Sequence, residues 1–180
     1  MESQILVAYA TKHGATAEIA EKIGQVLRQA GLGADVIPAH RVSGPDSYKA
    51  VVLGSAVYID EWRREAAGFL KSNEKFLAGM PVWLFSSGPT GYGDPVALVK
   101  GWRFPKALQT IADRIRPRDI TLFHGSLDVN KISLIERLMV KTVDAPFGDF
   151  RDWVAITSWA TGIAEVLKNE GLLIARKLIG

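Results

Sequence analysis

The chain has 180 residues, of which 48% are hydrophobic and 23% are charged, a balance typical of a globular protein. It contains no cysteine, which excludes disulfides and thiol nucleophiles, and its three scattered histidines predict no metal site. No run approaches the ~20 apolar residues that span a bilayer, and no secretory signal precedes the first strand, so we expect a cytoplasmic location.

The first predicted elements are a buried strand, a short polar loop and an amphipathic helix, all within residues 5–27. An apolar run at 5–8 predicts the strand, and apolar residues from Ile19 onward recur at helical spacing. The loop between them carries hydroxyls and a glycine, and the free N–H groups of the first helical turn attract an anion. We predict that this anion loop, residues 11–16, holds a phosphate. Its candidate ligands are Thr11, Lys12, His13, Gly14, Ala15 and Thr16.

Several kinds of phosphate site do not match the anion loop. It has neither the G-x-x-x-x-G-K-[S/T] of a nucleoside triphosphate site nor the G-x-G-x-x-G of a dinucleotide site. The acidic residues that a phosphoacceptor receiver needs are missing after the first and third strands. A terminal monophosphate remains, and a strand-to-helix turn without a ligand is the alternative.

The rest of the chain alternates strand and helix patterns, which predicts an α/β fold with a doubly wound parallel sheet. Further strands are predicted at 34–38, 48–54, 81–85 and 119–123. Helices are predicted at 61–73, 105–115 and 133–143, with a closing helix that includes 156–167. We expect one domain over residues 1–180, with extra segments at about 94–118 and 124–148 that form a lid or a docking surface.

The loops after the third and fourth strands are predicted to hold a flat ring. Ligands of doubly wound sheets bind beyond the carboxyl ends of the strands. Both loops place small residues at the strand end and an aromatic side chain just beyond, which suits stacking on a ring. Ordinary loop packing is the alternative for each aromatic. The candidate residues are Ala56, Val57, Tyr58, Ser87, Gly88, Pro89 and Tyr92.

Positive charge is concentrated in residues 100–141, where nine Lys and Arg face four acids, a net +5. Such a stretch favours an anionic substrate, an acidic partner or a membrane surface, and a solvated helix face is the alternative. Lys131, Arg137 and Lys141 are candidate anion contacts. No nucleic-acid-binding module is recognisable, so we expect no nucleic-acid partner.

Two further features carry open hypotheses. His124, at the end of the fifth strand, is a candidate proton relay, with a structural role as the alternative. The tail, residues 171–180, is apolar with a basic pair and too short to span a membrane. It could lie on a bilayer as a peripheral contact, pack on the core or bury itself in a second subunit of a homodimer, and we favour packing or the subunit contact.

The anion loop resembles that of the flavodoxin family, in which Thr/Ser-x-Thr/Ser-Gly-x-Thr surrounds the phosphate of FMN. His13 departs from this pattern by replacing a hydroxyl. With the segments 54–58 and 81–89 and a basic insert before 149–153, the chain is similar to the flavodoxin-domain family that includes menaquinone-dependent protoporphyrinogen IX dehydrogenase. The resemblance implies five strands in the order 2-1-3-4-5, FMN as cofactor, and electron passage from a porphyrinogen to a quinone.

Three functions follow from these observations. The first is an FMN-dependent oxidoreductase, quinone-linked and acting on protoporphyrinogen or a similar anionic molecule, as in haem biosynthesis. The second is a one-electron carrier that docks to a redox partner, against which the basic charge and long inserts argue. The third is a flavodoxin-fold binding protein without cofactor, which the His13 departure favours.

Overall fold

The structure is a computed structural model that describes residues 4–179 and, from residue 172 onward, only the course of the last helix. The strands are β1 (Ile5–Ala10), β2 (Ala34–Pro38), β3 (Ala50–Tyr58), β4 (Glu61–Trp62), β5 (Val82–Ser87), β6 (Asp119–Phe123), β7 (Ser126–Leu127) and β8 (Gly148–Asp149). The helices are α1 (Ala15–Gln29), α2 (Arg64–Ser72), α3 (Glu74–Leu77), α4 (Pro95–Leu98), α5 (Gln109–Ile115), α6 (Leu134–Thr142) and α7 (Trp153–Ile179).

The main sheet has five parallel strands in the order β2-β1-β3-β5-β6. This confirms the predicted order 2-1-3-4-5, because β4 is a two-residue addition that pairs antiparallel with β3. Ala10 at the end of β1 pairs with Ser55 of β3, and Ala56 pairs with Ser87 of β5. The carboxyl ends of these three strands therefore meet at one edge of the sheet.

Two helical layers cover the sheet because alternate strand residues point to opposite faces. Ile5 and Val7 of β1 pack with α1 and α7 on one face. Leu6 and Ala8 pack with α2, α3 and α5 on the other. Both layers are built from apolar side chains at helical spacing, which confirms the predicted α/β class.

The fourth predicted strand, 81–85, continues to Ser87. Two boundaries near the third strand are also wrong, and one hairpin explains both. The third strand continues to Tyr58, so residues 55–58 belong to β3 and not to the loop that follows it. The chain then turns back, and Glu61 and Trp62 pair with β3 as β4, where a helix was predicted. The Trp62 indole is buried and donates to Ser86 Oγ at 2.8 Å, which holds this strand in place.

The later helices agree with the predictions apart from their ends. The 105–115 helix begins as a short 3₁₀ turn and becomes α-helical at Gln109. The 133–143 helix is α6, capped by Ser133. No helix in the part of the chain that the structure describes is long and apolar enough to cross a membrane. The side chains from residue 172 onward lie outside the described residues. The role of the apolar tail, residues 171–180, therefore stays a prediction.

Gly54 in β3 makes room for a large core side chain. A Cβ at this position would lie 1.9 Å from Phe85 Cζ on the neighbouring strand β5. Phe85 is fully buried, and its ring also contacts Phe123 and Trp159. Residue 54 is therefore restricted to glycine by the packing of the aromatic core.

We expect Gly54→Ala to lower the free energy of unfolding by about 1–3 kcal/mol or more, because the fully buried Phe85 ring would have to move. Gly68→Ala in α2 is the matched control. A Cβ there meets nothing within 4 Å, and alanine favours a helix over glycine by about 1 kcal/mol. Urea unfolding measures both variants. Equal stability of Gly54→Ala and the parent protein would contradict this account of the core.

Candidate functional site

A cavity of about 760 Å³ lies at the sheet edge where β1, β3 and β5 end. It joins the anion loop to the ends of the other two strands, as the parallel register requires. Most of the predicted ligand-binding residues line it. They are Thr11, Lys12, His13, Ala15, Thr16, Ala56, Val57, Tyr58, Ser87, Gly88 and Pro89.

The anion loop leads directly into the first turn of α1. Gly14 is the N-cap residue, with a φ of 94° that favours glycine. Its N–H donates to Thr11 Oγ1 at 3.0 Å, which closes the loop. No side chain caps α1, so the N–H groups of its first turn keep their capacity for an anion. Thr16, which is buried, lines the cavity beside them.

Lys12 and His13 both contact the same carboxylate, that of Glu136 in α6. Lys12 Nζ forms an ion pair with Glu136 Oε1, and His13 Nε2 lies 3.1 Å from the same oxygen. The other oxygen accepts from the Ser133 N–H at 2.8 Å, in a capping box at the start of α6. The hydrogen bonds from Lys12, Ser133 and His13 hold the pKa of Glu136 well below its usual range. The carboxylate therefore remains ionised between the two elements.

Tyr58 forms part of the cavity wall next to this cluster. Its ring is 41% exposed, and the Lys12 ammonium lies 5.3 Å from the ring centroid. Burial raises the pKa of the Tyr58 phenol, and the negative charge of Glu136 raises it further. Tyr58 therefore offers an aromatic surface with a neutral hydroxyl.

The turn between β3 and β4 adds Ile59 and Asp60 to the cavity wall. Both residues have positive φ angles, 49° and 58°, in a two-residue hairpin closed by the pair Tyr58–Glu61. Such turns favour Asn-Gly, and a β-branched residue in this conformation is strained. The strained Ile59 side chain is 79% exposed at the cavity.

The loop after β5 brings a hydroxyl without a partner to the cavity. Thr90 lines it, and its Oγ1 is buried without a hydrogen bond. The same loop approaches the end of β6 closely: Gly88 N–H donates to Phe123 O at 3.2 Å, and a Cβ on Gly125 would lie 2.9 Å from Gly88 O. A ligand in the cavity can supply the partner that Thr90 lacks.

His124 holds this loop and does not line the cavity. The residue is 7% exposed, with Nδ1 3.1 Å from Pro89 O and Nε2 2.8 Å from Gly93 O. A neutral imidazole donates to only one of these carbonyls. This geometry supports a positioning role, whereas the predicted proton relay needs a ring nitrogen that faces the cavity.

Tyr92 and the three predicted anion contacts are not brought to the cavity. The Tyr92 ring is 89% exposed and packs edge-on against Phe150, with 5.2 Å between centroids. Arg137 donates to Val129 O at 2.7 Å within its own segment. Lys131 and Lys141 are exposed and do not line the cavity.

The two extra segments, predicted to form a lid or a docking surface, supply the apolar half of the cavity, but none of its wall residues was predicted. One wall of this half comes from the last residue of α4 and the residue after it. The other comes from α6 and the residues on either side of that helix. These apolar residues are Leu98, Val99, Ile132, Met139, Val140, Val143, Ala145 and Pro146. The capping box Ser-x-x-Glu was readable as the start of α6, but no sequence signal shows that its Glu136 contacts the anion loop.

The sequence matches the flavodoxin domain family over residues 6–152. Because this match covers most of the chain, the protein belongs to the flavodoxin domain family. Protoporphyrinogen IX dehydrogenase (quinone) of Escherichia coli K12 is 26% identical over 167 residues, which cover 86% of this chain and 87% of that protein. The protein of the same name in Escherichia coli O157:H7 gives the same values.

Solved structures show the same fold. Flavodoxin 2 from Bacillus cereus aligns over 91% of this chain and 99% of its own, with a TM-score of 0.58 at 20% identity. Rubredoxin oxygen:oxidoreductase from Desulfovibrio gigas gives a TM-score of 0.59 at 14% identity over 92% of this chain. The chain spans only 36% of that larger protein.

The lowered pKa of Glu136 predicts a pH-dependent contribution to stability. Its stabilising effect is complete above the ordinary value of 4.5 and is lost as the pH falls towards the lower folded-state pKa. Glu136→Gln removes the charge but keeps a residue suited to the capping box. We expect the difference in unfolding free energy between parent and variant to shrink from about pH 5 to about pH 3. Urea unfolding across this range measures it, and a difference independent of pH would contradict the prediction.

Proposed function

We propose that the protein binds FMN in this cavity and acts as an oxidoreductase. The observation that carries the proposal is that one cavity joins the anion loop to the ends of β3 and β5. A phosphate at the start of α1 leaves the rest of the molecule to extend along these strand ends. Membership of the flavodoxin domain family supports the same ligand.

The residues present fit FMN at both of its ends. Thr11 and Thr16 offer hydroxyls beside the first-turn N–H groups of α1, which suits a terminal phosphate. Tyr58 offers an aromatic surface for a flat ring, and the buried Thr90 hydroxyl lacks a partner. The cavity volume lies within the ~300–1,000 Å³ of small-molecule sites.

The one departure from the usual loop, His13, shares a partner in this chain with its neighbour Lys12. Lys12 and His13 stand where the family pattern has a variable residue and a hydroxyl, and both contact Glu136. Their side chains can still attract a phosphate, because they belong to the anion loop next to the start of α1. The His13 replacement is therefore compatible with phosphate binding.

FMN, when bound, supplies the two-electron redox chemistry, and the protein supplies placement and electrostatics. The anion loop holds the phosphate end. Met139 and Val140 of α6 give the other side of the cavity an apolar lining. His124 fixes the backbone of the loop after β5 through Pro89 and Gly93.

The reaction we propose moves electrons from a porphyrinogen to a quinone, after the name of the Escherichia coli relative. Each two-electron turnover removes two electrons and two protons from the porphyrinogen and adds them to the quinone, which becomes a quinol. The apolar wall under α6 suits an uncharged flat ring such as a quinone. Because Lys131 and Lys141 do not line the cavity, they can meet the carboxylates of a porphyrinogen only outside it.

FMN binding is tested by titrating the apoprotein and following the flavin fluorescence. We expect saturable binding, and about tenfold weaker binding in Thr16→Val because one hydroxyl donor to the phosphate is lost. Thr161→Val, which removes an exposed hydroxyl of α7, should leave the affinity unchanged. Unchanged fluorescence with the parent protein would contradict FMN binding and favour a cofactor-free binding protein.

The reaction is tested by anaerobic turnover of protoporphyrinogen with a soluble quinone, followed by porphyrin fluorescence. We expect Val140→Asp, which puts a charge on the apolar wall, to lower kcat/KM for the quinone at least tenfold. The matched control is Leu134→Asp on the same helix, where the side chain is 76% exposed and does not line the cavity. If the parent protein reduces one-electron acceptors but forms no porphyrin, it is an electron carrier instead.

A further inference from the structure

Residues 128–147, here called the lid segment, leave the sheet and return to it at one place. The segment follows β7 and precedes β8, and these strands pair antiparallel, Ser126 with Asp149 and Leu127 with Gly148. Both ends of the lid segment are therefore held together at a two-stranded base. Met139 and Val140, in helix α6 of the lid segment, line the cavity.

Arg151 fixes the base to the first turn of α1. Its guanidinium donates to Asp149 Oδ2 at 2.6 Å, to Glu18 Oε2 at 2.8 Å and to Ala15 O at 3.2 Å. The Arg151 side chain is only 7% exposed, and its hydrogen bond lowers the pKa of Asp149. A buried charge with several partners is costly to disrupt. The base is thus a firm attachment.

The far end of the lid segment is attached much less firmly. All of residues 128–147 are described, and among them Ile132 alone is a buried apolar side chain. Helix α6 has no buried residue, and Leu134 and Ile135 are more than 70% exposed. What joins α6 to the anion loop is the contact of Glu136 with Lys12 and His13.

We propose that the lid segment is hinged at β7–β8 and latched to the anion loop by Glu136, and that a phosphate entering the loop releases this latch. The inference rests on the proposed function, because the phosphate that enters the loop is that of FMN. It assigns Glu136 a role in ligand entry that the fold does not require.

Competition between two anions is the physical basis of the release. The Glu136 carboxylate contacts the two cationic or proton-donating side chains of the anion loop, and the start of α1 beside them attracts negative charge. A phosphate bound there competes for Lys12 and His13 and repels the carboxylate. Because the two sites share these partners, phosphate binding and latch opening are thermodynamically coupled.

The first experiment compares FMN with riboflavin, which lacks the phosphate, in the parent protein and in Glu136→Gln. We expect the variant to bind FMN about tenfold more tightly relative to riboflavin, because the competing charge is gone. Glu165→Gln, an exposed carboxylate on α7, is the control and should leave the ratio unchanged. Equal effects of Glu136→Gln on both ligands, or weaker binding of FMN alone, would overturn the proposed competition.

The second experiment needs no flavin and follows trypsin cleavage within the lid segment, at the exposed Lys131 and Lys141. Inorganic phosphate should accelerate cleavage several-fold over chloride at equal ionic strength, and Glu136→Gln should be cleaved fast in either salt. Cleavage that neither phosphate nor the substitution changes would refute the latch. Failure of FMN to bind, with cleavage as expected, would refute the proposed cofactor and leave the latch standing.

Discussion

The shared edge of three parallel strands is the constraint on which the site depends. The register pairs Ala10 with Ser55 and Ala56 with Ser87, so the anion loop and the segments that end β3 and β5 reach the same place. The helical layers fix this register, because a slip by one residue would turn every apolar side chain of a strand to the opposite face. A packing requirement deep in the core thereby determines which loops can contact one ligand.

Charge is arranged around this edge in two separate ways. At the base of the lid segment, the buried Arg151 side chain joins the half-exposed carboxylates of Asp149 and Glu18, which is a structural use of charge. At the tip, Glu136 contacts Lys12 and His13, and the helix that carries it, α6, has no buried residue. In our proposal, the base stays attached while the contact of Glu136 exchanges with a ligand.

The fold and the position of the loop before α1 could be predicted from sequence, whereas half of the cavity could not. The strands at 5–8 and 48–54 were recognisable because continuous apolar runs mark buried parallel strands, and the loop before α1 carried its own signature of hydroxyls and glycine. The hairpin at Ile59 was missed because its sequence lacks the Asn-Gly that such turns favour. The walls formed by α4 and α6 depend on contacts between residues distant in sequence, which periodicity does not report.

The same limit explains why the basic residues predicted as anion contacts do not line the cavity. A cluster of positive charge in the sequence predicted anion contacts at Lys131, Arg137 and Lys141. A count of charges, however, does not show where each side chain points in the fold. In the structure Arg137 serves the backbone of its own segment, at Val129 O. The side chains that lie beside the start of α1 and contact Glu136 are instead Lys12 and His13, which were predicted from their position in the loop.

The hairpin at Ile59 and Asp60 also bears on how this protein can be improved. Its left-handed backbone stores conformational energy in a residue type that tolerates it poorly. An Asn-Gly turn would relax that backbone and raise resistance to heat, yet it would remove an apolar side chain from the cavity wall. Selection for thermostability alone would therefore weaken ligand binding at this position, because the same turn determines both properties.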